Sequence, residues 1–132
     1  MGDAELRQIL VCIEMILSVL QQLQGAANRA ATNIGPGSGP TYGTTVHNAF
    51  QREVDALGNA NLTTEQSYLN GNPVRHGTPG SVRLDVVAGP LDNPTSIYDL
   101  KTGSAKLTLA RIQQIQSHLP GGSTVPITEV RP

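Results

Sequence analysis

Asp99-Leu100-Lys101 closes a run of strand-forming residues that begins at Ser96. Side chains two apart on a strand share a face, so a carboxylate and an ammonium project together from residues 99 and 101. The carboxylate can hold a divalent metal, and the ammonium can lean over whatever that metal activates. A second apolar run, residues 81–89, carries Asp85 at its centre. Two strands that each set one aspartate among hydrophobic neighbours offer a cation site. Gly89 and Gly103 mark where each run ends. Taken alone, Asp-x-Lys is most often a solvated ion pair worth little. It gains weight from the further elements that accompany it, in order, along the same chain.

The spacing of apolar residues predicts those elements. Leu6, Ile9, Leu10, Ile13, Leu17 and Leu20 recur at intervals of three and four, so residues 3–30 read as a helix. Its apolar run from Ile9 to Leu20 is interrupted by Glu14 and reads as too short to span a bilayer. Asp3 and Glu5 stand where a secretory signal needs positive charge. The favoured reading is a packing or self-association helix, with no membrane partner and with Cys12 as a buried, inert thiol. Residues 33–41, rich in Gly and Pro, read as a linker. Residues 42–58 read as a second helix with Val46, Phe50, Val54 and Leu57 on one stripe, and His47 and Gln51 one turn apart beside it. Residues 62–69 read as a strand, Gly71-Asn72-Pro73 as a turn and residues 74–80 as loop. The two aspartate strands follow as a hairpin joined by residues 89–94. A third helix is expected over 107–119, striped by Leu109, Ile112, Ile115, Gln116 and Leu119, and a last strand over 125–130.

One hundred and thirty-two residues suit a single domain with a modest core, and with no Trp and one Phe that core must be largely aliphatic. A lone cysteine excludes an internal disulfide framework. The formal net charge of -1 is awkward for a nucleic-acid ligand, but the distribution is uneven. Residues 71–132 hold Arg75, Arg83, Lys101, Lys106, Arg111 and Arg131 against Asp85, Asp92, Asp99 and Glu129. A metal that neutralised Asp85 and Asp99 would leave this half distinctly basic.

The order of motifs resembles the restriction-endonuclease-like nucleases of the PD-(D/E)XK superfamily, most closely their RecB-type branch. That branch carries Gly-x-x-x-His-x-x-x-Glu on a helix, an Asp on a strand, Asp/Glu-x-Lys-Thr-Gly, then Gln-x-x-x-Tyr on a helix. Here residues 43–51 run from Gly43 through His47 to Gln51, followed by Asp85, by Asp99-Leu100-Lys101-Thr102-Gly103, and by Gln114 with His118 four residues on. Two departures stand out: Gln51 where a Glu is common, and His118 where a Tyr is common. The first removes a charge near the metal. The second keeps a ring with a hydrogen-bonding tip.

The resemblance implies a mixed α/β (α+β) fold with a restriction-endonuclease-like core, a central mixed sheet of about four strands flanked by helices, plus an N-terminal helix. Residues 1–32 would be that helix, 33–41 the linker and 42–132 the nuclease domain. It implies Mg²⁺ or Mn²⁺ as cofactor, held by Asp85, Asp99 and the Leu100 backbone carbonyl. An imidazole nitrogen from His47 would tilt the preference toward manganese. Lys101 would orient or deprotonate the attacking water, and Gln51, Gln114 and His118 would brace the site or the substrate. Lys106, Arg111 and Arg83 are the expected phosphate contacts, and Glu53 and Glu65 the alternative carboxylates should the helix register differ. The implied activity is hydrolysis of DNA phosphodiesters. The size and motif placement also look like a C-terminal toxin domain of a bacterial secreted effector. Such a domain would have a cognate immunity protein as partner and would act in the cytoplasm after delivery into a target cell, with a homo-oligomer through the N-terminal helix as a further expectation. Two alternatives stand beside this: an RNase or nickase using the same site, and a non-catalytic binding or assembly module with a structural acidic pair.

Overall fold

A computed structural model of the chain describes residues 2–132. Three helices and a five-stranded mixed sheet follow in the order α1 (Asp3–Ile34), α2 (Gly39–Ala56), β1 (Leu62–Leu69), β2 (Asn72–Val74), β3 (Val82–Ala88), β4 (Ser96–Leu100), α3 (Leu109–His118) and β5 (Ile127–Val130). Across the sheet the strands lie β2-β1-β3-β4-β5. The first four pair antiparallel, and β5 joins β4 in parallel after the crossover through α3. A parallel neighbour needs such a crossover because its chain must return to the same end of the sheet.

Each face of the sheet buries its own core. On one face α1 contributes Leu23, Ala26, Ala27 and Ala30, and α2 contributes Val46, Phe50 and Val54, all against Val86, Ala88, Tyr98, Leu100 and Val130. On the other, Ile115 of α3 and Leu119 just beyond it cover Tyr68, Val82, Leu84, Val87 and Ile97. The small alanines let α1 and α2 approach closely as an antiparallel pair. Arg29 Nε and Glu53 Oε2 bridge the two helices at 2.9 Å.

Several boundaries differ from the sequence reading for identifiable reasons. Residues 33–41 do not form a linker, because only four residues separate α1 from α2. Pro40 falls in the first turn of α2, where its missing N–H costs nothing. Gly37 is needed for close approach, since a Cβ there would lie 2.4 Å from the Tyr42 ring. Asn72 and Pro73, expected in a turn, form the short edge strand β2, and the turn itself is Asn70-Gly71, both with positive φ. This edge strand brings the sheet to five members where about four were expected. Both sheet margins are short, three residues at β2 with Pro73 inside it and four at β5. Leu109, expected on the buried stripe of α3, is 69% exposed, because the helix starts there and only its later turns reach the sheet.

The largest difference concerns α1. It runs 32 residues, and Cys12, expected to be buried, is exposed. An 18-residue window of this helix is only 11% buried and is long and apolar enough to cross a membrane by length and composition. That window is longer than the run from Ile9 to Leu20 because the helix continues on both sides of it.

Replacing Phe50, 2% exposed between α2 and the sheet, by alanine is expected to cost about 3–5 kcal/mol. Leu109→Ala should stay within about 0.5 kcal/mol. Urea unfolding of the two variants against the parent measures both.

Candidate active site

The site is built at a fork. Strands β3 and β4 remain in register from Ala88↔Ser96 to Val86↔Tyr98, and their pairing stops there. The next residues, Asp85 and Asp99, stand at the mouth of the opening. The Asp85 carboxylate fills the gap in the ladder, accepting the Leu100 backbone N–H on Oδ2 at 2.7 Å. A side chain thus satisfies a backbone donor that has lost its strand partner.

A change of face accompanies the fork. Residues two apart on a strand ordinarily share a side, yet Leu84 belongs to the α3 core and Val86 to the α1–α2 core. Strand β1 does the same, with Leu62 against the helix pair and Tyr68 against α3. Between them sits Glu65, in left-handed backbone at φ 53°. The register flanking Glu65 puts it opposite Asp85, since Thr64 pairs with Val86 and Gln66 with Leu84. A non-glycine residue in this conformation inside a strand is uncommon and costs of order 1–2 kcal/mol.

His47 enters from α2. Its two ring nitrogens each face a carbonyl oxygen, Nδ1 to Gly43 O at 2.8 Å and Nε2 to Leu100 O at 2.8 Å. A carbonyl only accepts, so both nitrogens must carry protons and the ring is a cation. Asp85 Oδ2 lies 3.5 Å from the same Nε2. The Asp85 carboxylate beside the ring pushes the His47 pKa up to about 9, against the opposing effect of burial. Burial alone would raise the Asp85 pKa, but the adjacent His47 and the Leu100 N–H outweigh it and hold that carboxyl below its ordinary range.

Asp99 is 9% exposed and has the opposite balance. Burial and then the neighbouring Asp85 charge raise its pKa, and Lys101 only partly offsets them. Lys101 Nζ stands 3.0 Å from Asp99 Oδ2. The approach lacks hydrogen-bond geometry, so this buried oxygen is ion-paired but accepts no hydrogen bond. Four of the residues singled out in the sequence therefore form one row, His47, Asp85, Asp99, Lys101, with the two acids adjacent and a cationic group at each end.

The row has two further acidic neighbours, Glu65, an alternative carboxylate from the sequence, and Glu129, which the sequence does not single out. Glu65 shares a cleft with His47, Asn48 and Arg83. Its pKa is raised by burial first, with Arg83 Nε at 2.9 Å pulling the other way. Glu129 is the β5 partner of Asp99 in register. It accepts the Leu107 N–H at 2.7 Å and Arg131 Nε at 2.9 Å, and both lower its pKa. Arg131 also donates to the carbonyls of Gly103 (2.9 Å) and Ala105, which ties the loop after Lys101 to the end of the sheet. No local pattern announces either glutamate, because both arrive through strand pairing.

The remaining candidates lie apart from the row. Gln51 lines an adjoining cleft with Asn48, Glu65, His76 and Arg83. Gln114 is exposed and accepts a hydrogen bond from Arg111 at 2.9 Å. His118 accepts the Asn70 N–H on Nδ1 at 3.1 Å, while its carbonyl accepts the Gly71 N–H at 2.9 Å, so it fastens the β1–β2 turn. Glu53 faces Arg29 on the α1–α2 surface, away from the fork. Arg83, Arg111 and His76 gather at one rim: Arg111 reaches the Arg83 carbonyl at 3.4 Å, and Arg83 Nη1 lies 3.4 Å from His76 Nδ1. Lys106 is exposed on the tied-down loop.

The oxygens at the fork suit a hard divalent cation. Asp99 offers a buried oxygen without a hydrogen bond, and Asp85 stands beside it. Among the described residues no three His, Cys, Asp or Glu side chains form a ready-made metal cluster. Magnesium is commonly held by one or two carboxylates, with waters and substrate phosphates completing the shell, so a carboxylate pair meets its need. His47 does not offer a lone pair in this arrangement, and would have to shed its Nε2 proton to act as the expected nitrogen ligand. No family model, curated relative or solved structure matches the chain.

The raised His47 pKa carries a sign. Its ion pair with Asp85 contributes stability that is fully present below the unfolded value near 6.5 and is lost as pH rises toward about 9. The parent should therefore lose stability across that window, and Asp85→Asn should flatten the loss. Denaturation midpoints at several pH values, with an imidazole titration followed by NMR, measure both.

Proposed function

We propose that the chain is a metal-dependent nuclease that hydrolyses DNA phosphodiester bonds with magnesium or manganese. The observation that carries this reading is the meeting of His47, Asp85, Asp99 and Lys101, from one helix and two strands, at a single opening in the sheet. The order helix, three strands, helix, strand is what the PD-(D/E)XK resemblance calls for, and α2, β1, β3, β4, α3 and β5 follow it with the short β2 inserted after β1, which supports the finer fold assignment.

Asp85 and Asp99, with the Leu100 carbonyl, would hold the cation. When bound, it supplies charge neutralisation at the phosphate and a lower pKa for water. The chain's own groups do the rest. Lys101, fixed beside Asp99 by strand geometry, orients the attacking water and offsets the charge that builds on the phosphorus oxygens. His47 holds Asp85 and the Leu100 carbonyl in position through one nitrogen and anchors itself to α2 through the other. The rim of Arg83, Arg111 and His76 offers cationic contacts to a phosphate backbone, and such contacts weaken steeply with salt.

Linear and plasmid DNA incubated with the protein and Mg²⁺ or Mn²⁺ should be cut, and EDTA should stop it. Lys101→Ala should lower the rate by about 10²–10⁴-fold with the fold intact by circular dichroism, and Asp99→Asn should act likewise. A Lys101→Ala protein that cuts at the parental rate sinks the proposal. Parallel reactions on RNA and on nicked plasmid separate the RNase and nickase variants of the same chemistry. If neither substrate is cut and calorimetry shows no metal uptake, the fork is a structural ion-pair network and the binding-module reading takes precedence.

A further inference from the structure

Helix α1 carries one seam along its whole length, and only half of that seam is covered. Leu6, Ile9, Ile13, Ile16, Leu20, Leu23, Ala27 and Ala30 follow one another at strict alternating intervals of three and four, the a and d positions of a heptad repeat. The C-terminal members are the ones that meet α2 and the sheet: Leu23, Ala27 and Ala30 are fully buried, and Leu20 is partly so. The N-terminal members are open, with Leu6 at 48%, Ile9 at 42%, Ile13 at 46% and Ile16 at 55% exposure. Helix α2 has 18 residues against the 32 of α1, so an antiparallel partner of that length runs out near Leu20.

We infer that a second copy of this chain covers the open half, its α1 lying antiparallel on residues 6–20 and continuing the seam where α2 stops. The free half is the same surface, in the same register, as an interface the fold already uses. Leu10 and Leu17 flank it on one side, and Cys12 and Val19 on the other, which widens the apolar band. At its root lies an apolar groove of about 410 Å³ between Met15, Ile16, Val19 and Leu20 on the helix and Ala88 and Tyr98 on the sheet. An antiparallel partner presents its own N-terminal turns at that end, so its Leu6 and Leu10 fill the groove. The two contacts are equivalent by symmetry, as a two-fold dimer requires.

Charge argues against a helix lying in a lipid surface; a span through a bilayer, which its length and composition meet, is the outcome that the vesicle test below separates from the dimer. Between Arg7 and Arg29 the helix carries no cation, and its only charge is Glu14. Membrane-surface helices rely on Lys and Arg along the polar face.

The full chain at concentrations up to about 100 μM should scatter light as a dimer. Ile13→Glu, a change on an exposed part of the seam, should weaken the dimer at least about tenfold with circular dichroism unchanged. Ser18→Lys, on the opposite face, should leave it intact. A monomeric parent overturns the inference, as does an Ile13→Glu protein that dimerises like the parent. A parent that is monomeric in solution but floats with phosphatidylcholine vesicles overturns it in favour of a membrane role. The dimer and the nuclease proposal stand on separate residues, so scattering and cleavage assays fail independently.

Discussion

Two carboxylates buried side by side cannot both be ionised without cations close at hand, and the candidate site is organised around that fact. Asp85 and Asp99 are brought together because β3 and β4 stop pairing after Val86↔Tyr98. The fork exposes a backbone donor at Leu100, which Asp85 answers, and it leaves Asp99 to carry most of the electrostatic cost. His47 and Lys101 then stand at the two ends of the pair. Removing either cation would leave an uncompensated acid in a poorly hydrated place, which is far more costly than losing a surface ion pair.

Much of this was legible in the sequence, and the parts that were not share one cause. The i, i+2 relation of Asp99 and Lys101, the hairpin linking their strand to that of Asp85, and the helical frame around His47 are local or nearly so, and local periodicity gives them. What the sequence could not give is how strands meet. Glu65 faces Asp85 only because β1 and β3 share one register, and Glu129 neighbours Asp99 only because β5 returns in parallel. His118 was matched to a site residue on its spacing from Gln114, but spacing within a helix says nothing of which neighbour its far end meets. That neighbour is the β1–β2 turn.

Glu65 illustrates how a departure from local rules can mark the useful place. Nothing in Thr63-Thr64-Glu65-Gln66 foretells left-handed backbone in mid-strand. The conformation persists because packing on both sides fixes it, with the chain passing from one core to the other across that residue. Strain of this kind concentrates at functional sites. Here it turns an acid, absent at Gln51, toward the cleft that His47 and Arg83 also line.

The margins of the sheet have a consequence for how this molecule can meet others. An exposed strand edge is a template for a stranger's backbone, and proteins commonly blunt it with brevity and proline. At one margin only three residues lie open, one of them Pro73; at the other, Ile127–Val130 is preceded by Pro126 and followed two residues on by Pro132. Main-chain zippering, whether into fibrils or with an extended peptide, therefore finds little purchase at either side. Recognition is left to side chains, on helices and in the cleft, where it can be selective.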